Sequence, residues 1–84
     1  MSGGAAVLTL YGREYCHLCH DMVAALDALR PDYAFTLEVI DVDDDMALEQ
    51  RYGHLVPVLV GNDEEICHYR LDLAALDAYF AKIL

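Results

Sequence analysis

Two cysteines three positions apart, in the run Cys16-His17-Leu18-Cys19, are the residues of this chain best suited to chemistry. On a helix, side chains at that spacing share a face, so the two sulfurs are neighbours. Such a pair can pass between a dithiol and a disulfide, moving two electrons without a cofactor. The same letters allow two other readings. Cys16-x-x-Cys19-His20 is the pattern of covalent haem attachment, which predicts an exported, mostly helical protein with a second axial ligand. Cys16, Cys19, Cys67 and His68 could supply the four ligands of a zinc or iron–sulfur site if the last strand lay beside the pair. Thiolate, not thiol, is the nucleophile in disulfide exchange. A cysteine at a helix N-terminus faces unsatisfied N–H groups and the positive dipole end, and such placement lowers a thiol pKa from about 8.5 to roughly 3.5–7.5. Cys16, first in the chain, is expected to attack and Cys19 to resolve. His17 and His20 can add positive charge nearby or be solvated helix residues.

Positioning such a pair takes a strand that ends just before it and a helix that begins at it. Ala6 to Tyr11 is a short apolar run that reads as a buried strand. Gly12 and Arg13 break it, and from Cys16 to about Leu29 the period changes. Leu18, Met22, Ala25, Leu26 and Leu29 recur at helical spacing, with His20, Asp21, Asp27 and Ala28 on the other side. Pro31 stops the helix. Phe35 to Val42 alternates and is rich in β-branched residues, the mark of a second strand. Asp43-Asp44-Asp45 then reads as capping charge for a short helix, Met46 to Tyr52, and lacks the further oxygen ligands of a calcium loop. Leu55 to Val60 is a third strand with Pro57 at its beginning or at an irregularity. Gly61-Asn62-Asp63 signals a turn into a fourth strand, Glu65 to Tyr69. Asp72 caps a last helix whose stripe Leu73, Leu76, Phe80 and Ile83 reads as core. Residues 1–4 read as a loose end. The order βαβ, short helix, ββα implies an α/β fold. A right-handed crossover joins two parallel strands, a hairpin completes a four-stranded mixed sheet, and helices cover both faces.

Length and charge bound the function. With 84 residues the chain is one domain, 1–84, and 57% hydrophobic residues suffice for a core. Against 5 Lys and Arg stand 15 Asp and Glu, a net charge of −10. That composition excludes nucleic acid and an anionic membrane as partners, since both require clustered basic residues. It would steer basic patches on a protein partner. Nothing reads as a membrane span or a secretory leader, so the cytoplasm is the expected location; the expected state is a monomer. Three cysteines, an odd number, are unlike a disulfide-stapled secreted domain.

The strand ending at Tyr11, the Tyr15-to-Cys19 segment, the run Tyr52-Gly53-His54-Leu55-Val56-Pro57-Val58 and the closing hairpin and helix resemble a small bacterial glutaredoxin-like protein of the thioredoxin superfamily. The resemblance spans nearly the whole chain. It implies a thiol–disulfide oxidoreductase with Cys16 and Cys19 as the catalytic pair and no bound cofactor. The substrate would be a protein or small-molecule disulfide, and glutathione or a reductase the electron donor. It also implies a cis Val56–Pro57 bond beside the cysteines and a substrate site that includes Tyr15, His17, Val56 and Pro57. A substrate carboxylate would find Arg13, with Arg51 or Arg70 as the other cations. The chain departs from glutaredoxins in carrying Leu55 where they have Thr before Val-Pro. Cys67-His68-Tyr69-Arg70 stands where they have a Gly-Gly pair. The rival within the same fold is a non-enzymatic adaptor that binds partners through the same groove. Cys67 reads as a half-buried strand thiol.

Overall fold

A computed structural model describes residues 6–83; the expected loose end at residues 1–4 lies outside them. The elements run β1 (Ala6–Gly12), α1 (His17–Ala28), β2 (Phe35–Asp41), a 3-10 turn (Val42–Asp44), α2 (Met46–Tyr52), β3 (Val58–Gly61), β4 (Glu64–His68) and α3 (Leu73–Ile83). The strands form one sheet in the order β2-β1-β3-β4. β1 and β2 are parallel, and β3 is antiparallel to both β1 and β4. This is the mixed four-stranded α/β architecture that the alternation of periods predicts. Asn62 and Asp63, both at positive φ, make the two-residue turn of the β3–β4 hairpin.

Each strand's alternation decides which helix it meets. Leu8 and Leu10 of β1 and Leu59 of β3 face α1 and α3, in one cluster with Met22, Leu26, Phe35, Cys67, Leu76, Tyr79 and Phe80. Val58 and Val60 face the other way and pack with Tyr52 of α2 and with Val42. Tyr11 stacks on Tyr52 there, with ring centroids 4.4 Å apart. Leu8, Leu10, Met22, Leu26 and Leu59 are fully buried. Each such side chain contributes about 1.5–3 kcal/mol, whereas an exposed ion pair such as Arg30–Asp27 contributes about 0–1 kcal/mol. Packing of α1 onto β1, not surface charge, therefore fixes where the cysteines sit.

Several boundaries move from those read in the sequence. α1 begins at His17 with Cys16 as its N-cap, β2 stops at Asp41, and β3 begins only at Val58. The three aspartates divide their work. Asp45 caps α2, accepting from the N–H groups of Ala47 and Leu48, while Asp43 turns to Arg13. The 3-10 turn before them is capped by Asp41, through the N–H of Asp43. The stripe assigned to α3 is corrected at both ends. Leu73 is 53% exposed and Ile83 is exposed, while Tyr79 is buried beside Leu76 and Phe80. The reason lies across the interface. At Gly61 a Cβ would stand 2.5 Å from the Tyr79 ring, so the absent side chain leaves room for the tyrosine to bury on this face of the helix.

Candidate functional site

The Cys16–Cys19 pair sits where β1 hands over to α1. Cys16 has extended backbone (φ −129°, ψ 107°), the geometry of an N-cap. Its carbonyl accepts from the N–H of His20 at 3.1 Å, closing the first helical turn. Its Sγ accepts from the N–H of Cys19, also at 3.1 Å. The sulfur thus occupies the place that a Ser or Asp oxygen takes at most helix starts. It meets one of the four N–H groups that a helix leaves unpaired, at the positive end of the dipole. Any negative charge on Cys16 is stabilised there.

The two sulfurs are joined as a disulfide across a Cα–Cα distance of 5.2 Å. They differ in access. Cys16 is partly exposed, while Cys19 is only 3% exposed. A Cβ built on Gly12 would stand 3.0 Å from the Cys19 sulfur and 3.2 Å from Leu10, so the bare backbone at the end of β1 is what lets the inner cysteine seat. An outer sulfur open to attack and an inner one packed against a strand is an asymmetry that disulfide exchange uses.

Around the pair, Glu14, Tyr15, Cys16, His17 and His20 line a shallow concavity. Tyr15 is 95% exposed. Val56 is half-buried and Pro57 fully buried at the entry to β3, and the bond between them is cis. Tyr11 at the end of β1 lies opposite Val58 at the start of β3. The chain leaving toward Cys16 and the chain arriving from Pro57 therefore share one end of the sheet. The Pro57 carbonyl accepts from the N–H of Tyr69 at 2.9 Å, and the Tyr69 hydroxyl donates to the carbonyl of His54 at 3.1 Å. Tyr69 adopts a positive φ of 66°, uncommon for a residue with a side chain.

Arg13 is half-buried and held by the protein's own groups. Its guanidinium donates to the carboxylates of Asp43 and Glu49 and to the carbonyl of Gly53, tying the loop before Cys16 to α2. Those hydrogen bonds, Glu49's first and then Asp43's, raise its pKa further above the ordinary value. A substrate carboxylate at Arg13 would compete with both partners. Arg51 lies over the Tyr52 ring, and Arg70 lines a groove with Leu18, Asp21 and Met22.

Cys67 is buried on β4, opposite Leu59. Burial pushes its thiol pKa up, against a smaller lowering from a backbone hydrogen bond at Asp72. His68 pairs instead with Glu65. Among the described residues no group of three or more His, Cys, Asp or Glu is placed to hold a metal ion. The four-ligand set of Cys16, Cys19, Cys67 and His68 is therefore not assembled. Nor is the mostly helical frame of a haem protein present, since four strands form the centre of the molecule. No helix among the described residues is long and apolar enough to cross a membrane.

A second concavity is almost silent in the sequence. Between α1 and the edge strand β2 lies an opening of about 190 Å³, lined by Leu10, Gly12, Cys19, Val23 and Val39. Its only sequence signal is Gly12, a glycine at a strand end just ahead of a cysteine pair.

The sequence matches the glutaredoxin-like domain family (DUF836) over residues 7–81. No curated protein matches it by sequence. Among solved structures it is similar to the protein Ne2328 from Nitrosomonas europaea, at 42% identity over 94% of this chain and 95% of that one, with a TM-score of 0.86. It is also similar to the protein XcR50 from X. campestris, at 37% identity over 89% and 96% of the two chains, with a TM-score of 0.65. The germline-specific thioredoxin Deadhead of Drosophila melanogaster shares the fold, at 21% identity over 95% and 82% of the chains and a TM-score of 0.58. This chain belongs to the glutaredoxin-like domain family and has the thioredoxin fold, with a close cysteine pair at the start of its first helix.

Proposed function

We propose that the chain is a thiol–disulfide oxidoreductase acting on substrate disulfides in the cytoplasm, as a monomer and without a bound cofactor. One observation carries the reading. The Cys16 sulfur caps α1, accepting the Cys19 N–H while remaining open to solvent, and the Cys19 sulfur lies beneath it. The reduced pair begins as two thiols. Cys16 thiolate attacks one sulfur of a substrate disulfide, forming a mixed disulfide and expelling the other substrate sulfur as a thiolate, which takes up a proton. Cys19 then loses its proton and attacks the Cys16 sulfur. The Cys16–Cys19 disulfide forms and the second substrate thiol leaves. Two electrons and two protons pass from the protein to the substrate. Glutathione or a reductase returns them in a second exchange of the same kind. Tyr15 and His17 flank the attacking sulfur and, with the half-buried Val56, would contact the substrate; Pro57, buried behind it, would hold Val56 in place, and Arg13 would reach a substrate only by giving up its present partners.

The test is reduction of insulin by the purified protein, supplied with thioredoxin reductase and NADPH in one arm and with glutathione in another. Wild-type protein should accelerate reduction in at least one arm, and Cys16→Ser should be inactive in both. Equal rates for the two proteins would reject the mechanism.

A further inference from the structure

Two openings meet at the cysteine pair, and they share two residues. The shallow one holds Cys16, and the apolar one between α1 and β2 reaches Cys19. Glu14 and His20 line both and form the ridge between them. A substrate strand lying across that ridge, with its disulfide at Cys16, carries a neighbouring side chain to the mouth of the apolar opening. Leu10, Val23 and Val39 line that opening. Val39 is 60% exposed on the edge strand, an aliphatic surface left open among the described residues. At about 190 Å³ the opening suits one branched aliphatic side chain.

Charge says what flanks that side chain. Arg13 is the cation at the rim, and Asp43 and Glu49 already match it. The remaining rim carboxylates, Glu14 and Asp41, leave the mouth negative, on a chain whose net charge is −10. Such a mouth disfavours an acidic residue beside the substrate disulfide and attracts a basic one.

Resting on the exchange reading above, we infer that the natural substrate is a protein disulfide within a basic segment. Its neighbouring aliphatic side chain seats in the opening behind Cys19, and its Lys or Arg lies against Glu14. Affinity comes from the aliphatic contact, and the carboxylates add orientation and speed of encounter.

The experiment uses pre-reduced protein and single-turnover exchange, followed by mass spectrometry. Four synthetic peptides carry one cysteine as a mixed disulfide with 2-mercaptoethanol, and differ only in having Leu or Gly, and Lys or Glu, beside it. Hydroxyethyl disulfide, small and uncharged, reports exchange itself. The expected result is a Leu-Lys peptide consumed about tenfold faster than its Gly-Lys counterpart, the discrimination typical of an apolar pocket. A Lys-over-Glu preference of roughly two- to fivefold, typical of one exposed charge pair, should shrink with added salt. Glu14→Gln should narrow the Lys/Glu ratio, and Val39→Trp, which fills the opening from an exposed position, should narrow the Leu/Gly ratio. Equal rates for all four peptides alongside normal turnover of hydroxyethyl disulfide would overturn the substrate assignment and leave the exchange reading standing. No turnover of any disulfide would overturn both.

Discussion

Cys16 has a structural role and a chemical one, and replacing it separates them. Its Sγ caps α1 by accepting the Cys19 N–H at 3.1 Å. Serine at the same position places an oxygen where the sulfur was, and alanine leaves the N–H unpaired. Loss of a side-chain N-cap costs about 0.5–2 kcal/mol, typically about 1. Both variants also lose the disulfide, which closes a very short loop, the two cysteines being only three positions apart. Chain entropy puts that loss near 2 kcal/mol, and it is the same in both. The difference between the variants therefore isolates the cap. In a domain of this size each kcal/mol moves the midpoint by about 4–8 °C. Thermal unfolding followed by far-ultraviolet circular dichroism should place Cys16→Ser some 4–8 °C above Cys16→Ala. Oxidised wild type should lie above both, and both variants should fail in disulfide exchange. Equal midpoints for the serine and alanine proteins, or a higher one for alanine, would refute the capping geometry. Stabilisation of a Cys16 thiolate by α1 would fall with it.

Other outcomes follow from the same packing. In reduced native protein, iodoacetamide should alkylate Cys16 well before Cys67, which is buried on β4; peptide mapping that finds the two labelled at equal rates would contradict its burial. Gly61→Ala places a Cβ against the Tyr79 ring and should lower stability by about 1–3 kcal/mol, the usual cost of overpacking. Adding Tyr79→Leu should recover part of it, and urea denaturation of the single and double variants would show whether the two sites couple. Burial raises the Cys67 pKa above its ordinary value, so the unfolded chain releases that proton first as pH rises. Stability from this source is intact below about pH 8.5 and falls above it. Tyr11, also raised by burial, adds the same trend from about pH 10. With the Cys16–Cys19 disulfide intact, Cys67→Val should show a flatter stability profile than wild type between pH 8.5 and 10 in urea denaturation.

The element order was readable because periodicity changes sharply where the chain changes shape. The apolar run ending at Tyr11, the 3.6-residue spacing from Leu18 to Leu29 and the Gly-Asn-Asp turn each have one local explanation. The cysteine pair was readable for the same reason, being a local pattern at a local boundary. What stayed hidden depends on residues far apart in sequence. Arg13 reads as a free cation until Asp43 and Glu49, thirty and more positions on, fold against it. Tyr79 reads as a helix residue off the main stripe until Gly61 leaves room for its ring. Leu73 fits the stripe by spacing but falls at the exposed end of its helix. The apolar opening beside Cys19 requires the edge strand β2 to lie next to α1, a neighbourhood set by topology and by no single segment.

The central claim is that the outer sulfur attacks and the inner one resolves. The direct measurement is intact-mass spectrometry of the three proteins, wild type, Cys19→Ser and Cys16→Ser, each reduced and then mixed with a slight excess of a disulfide-bearing peptide. Cys19→Ser should accumulate one mixed disulfide, mapped to Cys16, and wild type should return to its internal disulfide with the peptide released. Cys16→Ser should form little adduct, because Cys19 is packed beneath the surface. A stable adduct on Cys19 in Cys16→Ser, formed as fast as the adduct on Cys16 in Cys19→Ser, would contradict the account.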